Sequence, residues 1–447
     1  MLSVLNNRLI KSWVRMIPSR SQTQREVNAV RKISLFILLV SLVTGGSLQA
    51  RSLSLGECID KALHTHPDIQ RFVLQVGFSE KGIEAARADY LPQIFLNAEY
   101  DPTRTYVLPV NGVFDTRDSD GWQAGITVQQ KIWDFNKTKT LIRVQESQAV
   151  GADLSLADAR ALLAYKVKLQ YELVQVQRKA TEVRQKDLEV KKALHAQAQA
   201  LVNQGLRTKA DETRFISATA MAQDNLAMAN ANLVKALSTL SLYIGEPLPP
   251  DIILEENIEI QEDALPDEEE VVQRSPVLQG LREKIRQKKL LHKAARAARY
   301  GSFDALASYV HQDTLSEYDS TLLGVMFNVP LYTGGRLSAK EEQAFIEQQK
   351  AESEYASREL ALREELKKLY ADLQRYKQTI KAKSRQLISA KQTRNVVSGR
   401  YQEGLATYIE VLDATALQLN ARLGLLQATY DRSRTLHRLE YLQGKSK

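Results

Sequence analysis

The feature that most constrains this chain is an internal duplication, in which the same succession of motifs occurs twice. The segment His66-Pro67-Asp68-Ile69 recurs as Ser275-Pro276-Val277-Leu278, 209 positions later. Further along, Lys131-Ile132-Trp133-Asp134 corresponds to Pro330-Leu331-Tyr332-Thr333 at an offset of 199. The first copy therefore contains additional residues between these two motifs. The Asn111-Gly112 pair and the prolines in this part of the chain predict a longer loop there.

Each copy follows the same plan. A first helix is predicted over residues 55–88 in one copy and 267–299 in the other, and two strands follow it in each. The predicted strands cover residues 93–106 and 122–133, then 303–311 and 321–331. In the last of these, Leu323, Val325 and Phe327 are apolar at every second position. This alternation over about ten residues is typical of membrane-barrel strands, although a half-buried soluble strand shows it too.

A very long helix follows each pair of strands. Residues 136–203 contain no proline and only one glycine, Gly151, so a helix about 100 Å long is expected. Apolar residues recur every seven positions in both copies, which predicts coiled packing against neighbouring helices. The helices reverse direction at Gly205-Leu206 and Gly404-Leu405, and the returning helices are predicted to end near Tyr243 and Tyr441. The heptad positions are Leu169, Val176, Val183 and Val190, and Leu366, Leu373, Ile380 and Leu387.

The N-terminal segment resembles an export signal. Arg31-Lys32 precede the apolar residues 33–43, and small residues lead to a predicted cleavage site after Ala50. The net charge of +8 belongs largely to this segment, because the chain beyond it has 54 basic and 52 acidic residues. The predicted organisation is a signal peptide with an N-terminal extension (1–50), a first repeat (51–245), an acidic linker (246–270) and a second repeat (271–447).

The strand count limits the architecture. No apolar run long enough for a transmembrane helix follows Ala50, so a mature chain that spans a membrane is expected to use its strands. Four strands cannot close a barrel, and open strand edges are not tolerated in lipid. Several chains are therefore expected to share one barrel, and three chains would supply about twelve strands.

Several motifs in this order resemble the TolC family of outer-membrane efflux and secretion channels, along almost all of residues 52–447. They are Leu55-Gly56-Glu57-Cys58-Ile59, the junction Val329-Pro330-Leu331-Tyr332-Thr333-Gly334-Gly335 and the tip YQEGLATYIEVLDA at residues 401–414. The resemblance implies an α+β membrane protein with two long antiparallel helical hairpins in a coiled-coil barrel. It also implies a homotrimer with a 12-stranded β-barrel in the outer membrane of a Gram-negative bacterium, extending into the periplasm.

The resemblance also implies partners and site residues. The partners are outer-membrane lipid, a periplasmic adaptor and an inner-membrane ABC or proton-driven transporter. Family carboxylates at the closed periplasmic entrance correspond here to Asp211, Glu410 and Asp413, with Tyr401 beside them. Ala406 stands where the family usually has a tip arginine. The reversals, Gly205-Leu206 and Gly404-Leu405, would contact the adaptor. Trp133 and Tyr332 are expected at the lipid–water boundary, and Asp134 and Thr333 are expected to cap the helices that follow.

Other functions are poorly supported by the residues. The six histidines are scattered without ligand spacing, so no catalytic, cofactor or metal site is predicted and the chain is not expected to be an enzyme. Residues 288–299, reading KKLLHKAARAAR, form a basic stretch that is more simply a helix face than a nucleic-acid site. The alternative that remains is a periplasmic coiled-coil adaptor or envelope tether without a pore. The predicted function is a passive exit duct for substrates.

Overall fold

The computed structural model describes residues 52–255 and 266–446. The predicted signal peptide and residues 256–265 of the predicted linker lie outside the described residues. The first half contains α1 (Leu55–Thr65), α2 (Pro67–Ala88), β1 (Gln93–Val110), β2 (Val113–Trp133), α3 (Lys137–Asn203) and α4 (Lys209–Ile244). The second half contains α5 (Glu268–Arg274), α6 (Pro276–Ala297), β3 (Ser302–Asp313), β4 (Glu317–Asn328), α7 (Arg336–Gln402) and α8 (Tyr408–Leu442).

The first helix of each copy was predicted as one continuous helix, and this prediction is wrong. In both copies a proline begins the second of two helices, Pro67 in α2 and Pro276 in α6. The proline ring disfavours helical backbone in the residue before it. His66 and Ser275 accordingly have ψ angles of 126° and 116°. The break redirects the chain between α1 and α2, and between α5 and α6.

The four strands form one antiparallel sheet in the order β1-β2-β3-β4. The central pair joins the two halves of the chain, with Trp122 opposite Asp313 and Gln130 opposite Ala305. Strands β1 and β4 are the two edges. Large apolar side chains on this sheet are exposed in the single chain, including Leu96 at 77% and Leu323 at 85%.

The first hairpin is longer than predicted. Its strands continue to a two-residue turn at Asn111-Gly112, and both residues have positive φ, at 50° and 80°. Pro102 falls where the register shifts between Asp101 and Arg104, and Pro109 lies opposite Phe114. An edge strand tolerates proline because its outer N–H groups need no partner strand. The prolines interpreted as loop residues therefore belong to an extended two-stranded ribbon.

The junctions between strand and long helix differ in the two halves. Asp134 caps α3, accepting hydrogen bonds from the amide of Thr138 at 2.8 Å and from its hydroxyl at 2.5 Å. In the second half Gly335, with φ at 81°, occupies the N-cap position of α7. Thr333 contributes its backbone carbonyl, which accepts from the amide of Arg336 at 3.2 Å. The prediction that the Thr333 side chain caps this helix is therefore not supported.

Helices α3 and α7 each contain 67 residues, which corresponds to a length of about 100 Å. Helix α3 contacts α2, α4, α6 and α8, so it is the central element of the helical part. None of the helices in the described ranges is both long and apolar enough to cross a bilayer. The described part of the linker docks on α3, where the Tyr171 hydroxyl donates to the carbonyl of Leu53 at 2.8 Å or of Glu255 at 2.9 Å.

Three basic residues of the stretch 288–299 form ion pairs within the chain. Lys288 lies 3.1 Å from Glu347, Lys289 lies 3.3 Å from Glu352, and Arg299 lies 2.7 Å from Glu341. These acids belong to α7, which packs along α6. The interpretation of residues 288–299 as a helix face is therefore supported by an ion-paired neighbour.

Candidate functional site at the helix tips

The two long hairpins end in the same backbone motif. Gly205 and Gly404 adopt left-handed backbone, with φ at 72° and 77°. The amides of Leu206 and Leu405 donate to carbonyls five residues earlier, at 2.9 and 2.7 Å. This is a Schellman arrangement, which satisfies the last carbonyls of a helix and turns the chain sharply. The leucines that follow the glycines are left 67% and 64% exposed, so each hairpin ends in an unpartnered apolar side chain.

Two of the predicted entrance carboxylates cap the returning helices. Asp211 accepts a hydrogen bond from the amide of Thr208 at 3.2 Å, and Glu410 accepts from the amide of Thr407 at 2.6 Å. Each threonine hydroxyl accepts in return from the amide of its acidic partner, which completes a capping box at both tips. The hydrogen bonds from Thr407 lower the pKa of Glu410, the backbone one first. Both carboxylates therefore have a structural role that the sequence interpretation missed.

Asp413 lies three residues beyond Glu410, on the same face of α8, and its side chain is exposed. Glu410 is exposed as well, whereas Asp211 is partly buried. In the described part of the chain, Asp211 and Glu410 accept hydrogen bonds from their own capping threonines, and no hydrogen bond links one tip carboxylate to the other. The gathering of these three carboxylates around a common axis remains a prediction.

Tyr401 was predicted beside the constriction, but its side chain lies inside the tip. It is 1% exposed and packs with Phe215, at 6.2 Å between ring centroids, in a cluster that includes Ala198, Ala406 and Val411. Burial raises the pKa of Tyr401, an effect that the positive charge of Arg207 opposes. Within a single chain this tyrosine packs the two tips together and is not an exposed channel-lining group.

Arg207 connects the two tips and was missed at the sequence level. Its guanidinium donates to the carbonyl of Ala406 at 3.2 Å and lies 5.4 Å from the ring centre of Tyr401. The signal was present in the duplication, because an offset of 199 makes Arg207 the counterpart of Ala406. The second tip has Ala406 where an arginine was expected. Arg207 of the first tip supplies an arginine there instead, because its guanidinium contacts Ala406.

Trp133 and Tyr332, the two aromatic residues predicted at the lipid–water boundary, have different surroundings in the structure. Trp133 is the last residue of β2 and is 47% exposed. Its ring centre lies 6.2 Å from that of Phe135, and the ring centre of Phe135 lies 5.3 Å from that of Tyr300. Tyr332 is 90% exposed and lies beyond the end of β4 at Asn328. The strand predicted over residues 321–331 ends earlier, at Asn328, because Pro330 has no amide to donate. The placement of both aromatics at a lipid boundary remains a prediction.

Across residues 52–255 and 266–446, no cluster of three or more His, Cys, Asp or Glu side chains is arranged to hold a metal ion. The one free cysteine in these ranges, Cys58, is buried, and burial raises its pKa to about 12. A thiol with a raised pKa is a poor nucleophile at neutral pH.

An exposed four-stranded sheet carried on two very long helical hairpins with matching capped tips defines a class of elongated membrane channel subunits. The sequence model of the outer membrane efflux protein family matches residues 58–246 and 269–445. The chain belongs to this family. The match covers nearly all of both copies of the duplication and is interrupted at residues 247–268, within the predicted linker.

Relatives and solved structures agree with this assignment. The outer membrane protein TolC of Vibrio cholerae is 23% identical over 412 residues, covering 85% of this chain and 87% of the relative. The crystal structure of CusC, described with transmembrane channel formation, has a TM-score of 0.79 at 18% identity and covers 87% of this chain and 91% of its own. The outer-membrane channel MtrE of Neisseria gonorrhoeae has a TM-score of 0.76 at 19% identity, with coverages of 90% and 94%.

The chain is therefore an outer-membrane efflux channel protein, and the exit-duct prediction is confirmed over the pore-less tether. The family is one of channels. The outer-membrane location is shared with the family and its relatives.

Proposed function

We propose that three copies of this chain assemble into one continuous duct, with a 12-stranded β-barrel in the outer membrane and a helical tunnel in the periplasm. The duct passes substrates delivered by an inner-membrane ABC or proton-driven transporter through a periplasmic adaptor. Residues 51–245 and 271–447 act as two repeats of each subunit's wall, joined by the acidic linker 246–270.

The observation that carries this proposal is the order of neighbouring elements. Next to the sheet, the helices follow one another as α2, α3, α6 and α7, and towards the tips as α4, α3, α8 and α7. The sheet has the order β1, β2, β3 and β4. Strand β1 continues from α2, and α7 follows β4, so one side of the molecule presents β1, α2 and α4 while the other presents β4 and α7.

Both sides carry apolar side chains that the single chain leaves exposed. Phe78 of α2 is 68% exposed, Leu242 of α4 is 70% exposed, and Leu360 of α7 is 70% exposed. Exposed apolar surface that continues along a side indicates a protein–protein or lipid contact. A second copy supplies both an edge strand for the open sheet and an apolar surface for the helices.

The two sides differ, so contact between copies is head to tail. A head-to-tail interface forms a closed ring when the rotation between neighbours closes. With four strands per chain, three copies give about twelve strands, an even number compatible with a water-filled lumen. Closure pairs β1 of one copy with β4 of the next and removes every open edge.

The tips supply the entrance and the docking points. Threefold symmetry would place three copies of Asp211, Glu410 and Asp413 around the axis, and such rings of carboxylates favour cations. Leu206 and Leu405, exposed at 67% and 64%, give the adaptor an apolar contact at each hairpin. Trp133 and Tyr332 would face the periplasmic boundary of the membrane, where aromatic side chains are enriched.

The experiment combines mass and conductance of the purified protein. Light scattering in mild detergent is expected to give the mass of three chains, and planar bilayers are expected to show discrete channel openings. Phe78→Glu places a charge on the α2 side and is expected to reduce the trimer fraction, whereas Leu315→Glu, in the turn between β3 and β4, is not. A stable monomer, or a trimer without conductance, would contradict the duct.

A further inference from the structure

The two strand hairpins of the chain have the same pairing register. Strand β1 pairs with β2 so that Gln93 lies opposite Gln129, and β3 pairs with β4 so that Ser302 lies opposite Asn328. Adding 209 to the first position and 199 to the second converts one pair into the other, and these are the two offsets of the duplication. The duplication therefore holds residue by residue in the folded sheet.

The contact between the two hairpins is a template for a contact between two copies of the chain. Strand β2, the second strand of its hairpin, pairs with β3, the first strand of the next, and Ile126 lies opposite Tyr309. The offsets make Val325 on β4 the counterpart of Ile126, and Tyr100 on β1 the counterpart of Tyr309. Both strands are edges of the sheet, so this pairing is available only to a second chain.

We propose that β4 of one copy pairs with β1 of the next in the register that β2 and β3 have within the chain. Val325 then lies opposite Tyr100 of the next copy, and Phe327 lies opposite its Ala98. This proposal rests on the proposed ring of chains and specifies the residue contacts, which closure of the ring alone leaves open.

The side chains of the two edges match in this register. Successive side chains of a strand point to opposite faces of a sheet. Val325 therefore shares with Tyr100 a face that is apolar on both strands. A shift of one residue in either direction would place Val325 opposite a carboxylate, Glu99 or Asp101, and would reverse the two faces. On the other face, Met326 and Asn328 come opposite Glu99 and Asn97.

A pair of equivalent glycines supports the same register independently. A Cβ added to Gly125 would lie 2.7 Å from Val310 Cγ2 and 2.8 Å from the Tyr309 carbonyl oxygen, so the close approach of β3 requires a glycine. Gly324 is its counterpart on β4, and a Cβ there would have no other described atom within 4 Å. Nothing within one chain explains this second glycine, whereas the transferred register brings Asp101 of the next copy against it.

The helices beside the sheet follow the same relation. The Ser147 hydroxyl of α3 lies 3.0 Å from a carboxylate oxygen of Glu283 in α6. The offsets convert this pair into Ile346 of α7 and Leu74 of α2, which are 47% and 64% exposed. A polar contact inside the chain thus corresponds to two exposed apolar side chains on its opposite sides, and contact between copies would cover both.

The test is disulfide formation between paired cysteines in the full-length protein, oxidised in mild detergent and run on non-reducing gels. Val325→Cys with Tyr100→Cys, and Phe327→Cys with Ala98→Cys, are expected to give covalent dimers and trimers. Exchanging partners places the same four substitutions two residues out of register. These crossed combinations are expected to link at least about fivefold less, because diagonal neighbours lie about 7–8 Å apart and a disulfide needs a Cβ separation near 4 Å.

Links within one chain do not confuse this measurement. Strands β1 and β4 are separated by two strands, which corresponds to about 14 Å along the sheet, whereas a disulfide spans at most about 7 Å between Cα atoms. The sequence has one cysteine, Cys58, which is buried. The wild-type protein is therefore the control, and it is expected to stay unlinked.

Gly324→Val gives a second measurement that needs no chemistry. It adds a side chain where the single chain has room, so the helical circular dichroism is expected to stay unchanged. The trimer fraction in light scattering is expected to fall at least about twofold, because the neighbouring strand approaches this position. Thr321→Val, a change of similar shape on the same strand, is the control and is expected to assemble as the wild type does.

The outcomes separate the register from the duct. Crossed combinations that link as well as the matched ones, in a protein with the mass of three chains, would overturn the register and leave the duct standing. No linking in any combination at that mass would also overturn the register, whereas no linking with the mass of one chain would overturn the duct as well. Wild-type assembly of Gly324→Val would contradict the close approach of the neighbouring strand.

Discussion

A buried ionic cluster joins the two halves of the chain, and replacing its histidine gives a quantitative test. The His437 ring of α8 contacts Glu172 of α3 at 2.8 Å through Nε2 and Glu440 at 3.0 Å through Nδ1. Lys168 of α3 lies 2.8 Å from the Glu440 carboxylate, and the Ser433 hydroxyl donates to the Glu172 carboxylate at 2.6 Å. With the imidazole protonated, two positive and two negative charges balance.

The pKa of His437 sets the size of the effect. Burial disfavours the charged ring, but hydrogen bonds to Glu172 and Glu440 outweigh burial and raise the pKa from 6.5 to about 9. A shift of this size corresponds to about 3 kcal/mol at roughly 1.4 kcal/mol per pKa unit. Because the pKa is raised in the folded protein, this stability is fully present below 6.5 and is lost as the pH rises through about 9.

We therefore expect His437→Gln to lower the free energy of unfolding by about 3 kcal/mol at about pH 6, and by much less above the folded-state pKa. Urea titrations followed by helical circular dichroism, on wild type and variant at both pH values, measure this difference. Glu172→Gln removes one of the two acceptors and is expected to flatten the pH dependence as well. His64→Gln, at an exposed position, is the control. A stability difference for His437→Gln that is equal at both pH values would refute the assignment of the charge to the imidazole.

Three further predictions concern the tips and the backbone. Glu410→Gln with Asp413→Asn is expected to reduce cation selectivity and block by divalent ions in single-channel recordings; unchanged selectivity would remove these residues from the entrance. These substitutions are preferable to alanine because glutamine still accepts the capping hydrogen bond, whose loss costs about 1 kcal/mol. Arg207→Ala is expected to loosen the two tips and increase limited proteolysis there, whereas Arg207→Lys retains only the charge; equal cleavage of wild type and Arg207→Ala would contradict the contact. Gly301→Ala is expected to destabilise the sheet by about 3 kcal/mol or more, since φ is 81° and a Cβ would clash with the Asn328 carbonyl oxygen. Gly151→Ala inside α3 is expected to raise the free energy of unfolding by up to about 1 kcal/mol, as measured by a thermal melt.

The long helices and the duplicated plan could be predicted because they depend on local sequence. The absence of proline in 136–203 and the heptad period require no knowledge of distant residues, and α3 begins one residue from the predicted start and ends at the predicted residue. The first hairpin was harder to predict, because Pro102 and Pro109 have turn chemistry in isolation. Their tolerance in β1 depends on this strand being an edge, which is a property of the whole sheet.

The candidate site was also predictable only in part, because some of its contacts join residues that are far apart in the sequence. The duplication places Gly205-Leu206 and Gly404-Leu405 at equivalent reversals, and both are observed as tips. The contact of Arg207 with Ala406 joins residues 199 positions apart. No local pattern specifies such a contact, because the arginine occurs in one copy and its acceptor in the other. The buried His437–Glu172 pair, separated by 265 positions, is hidden for the same reason.

The contacts between α3 and the second hairpin change in character along their length. Near the sheet-proximal end, the cluster of Lys168, Glu172, His437 and Glu440 is charged and tightly paired. At the tip, Ala198, Phe215 and Tyr401 form an apolar cluster. Between them lies a polar pocket at Asp187, where a carboxylate oxygen has no described donor. The second hairpin therefore meets α3 in two chemically different zones, with the polar pocket between them. Substitutions at the two zones are therefore expected to change the free energy of unfolding additively, because about 40 Å of helix separates residues 172 and 198 at 1.5 Å per residue.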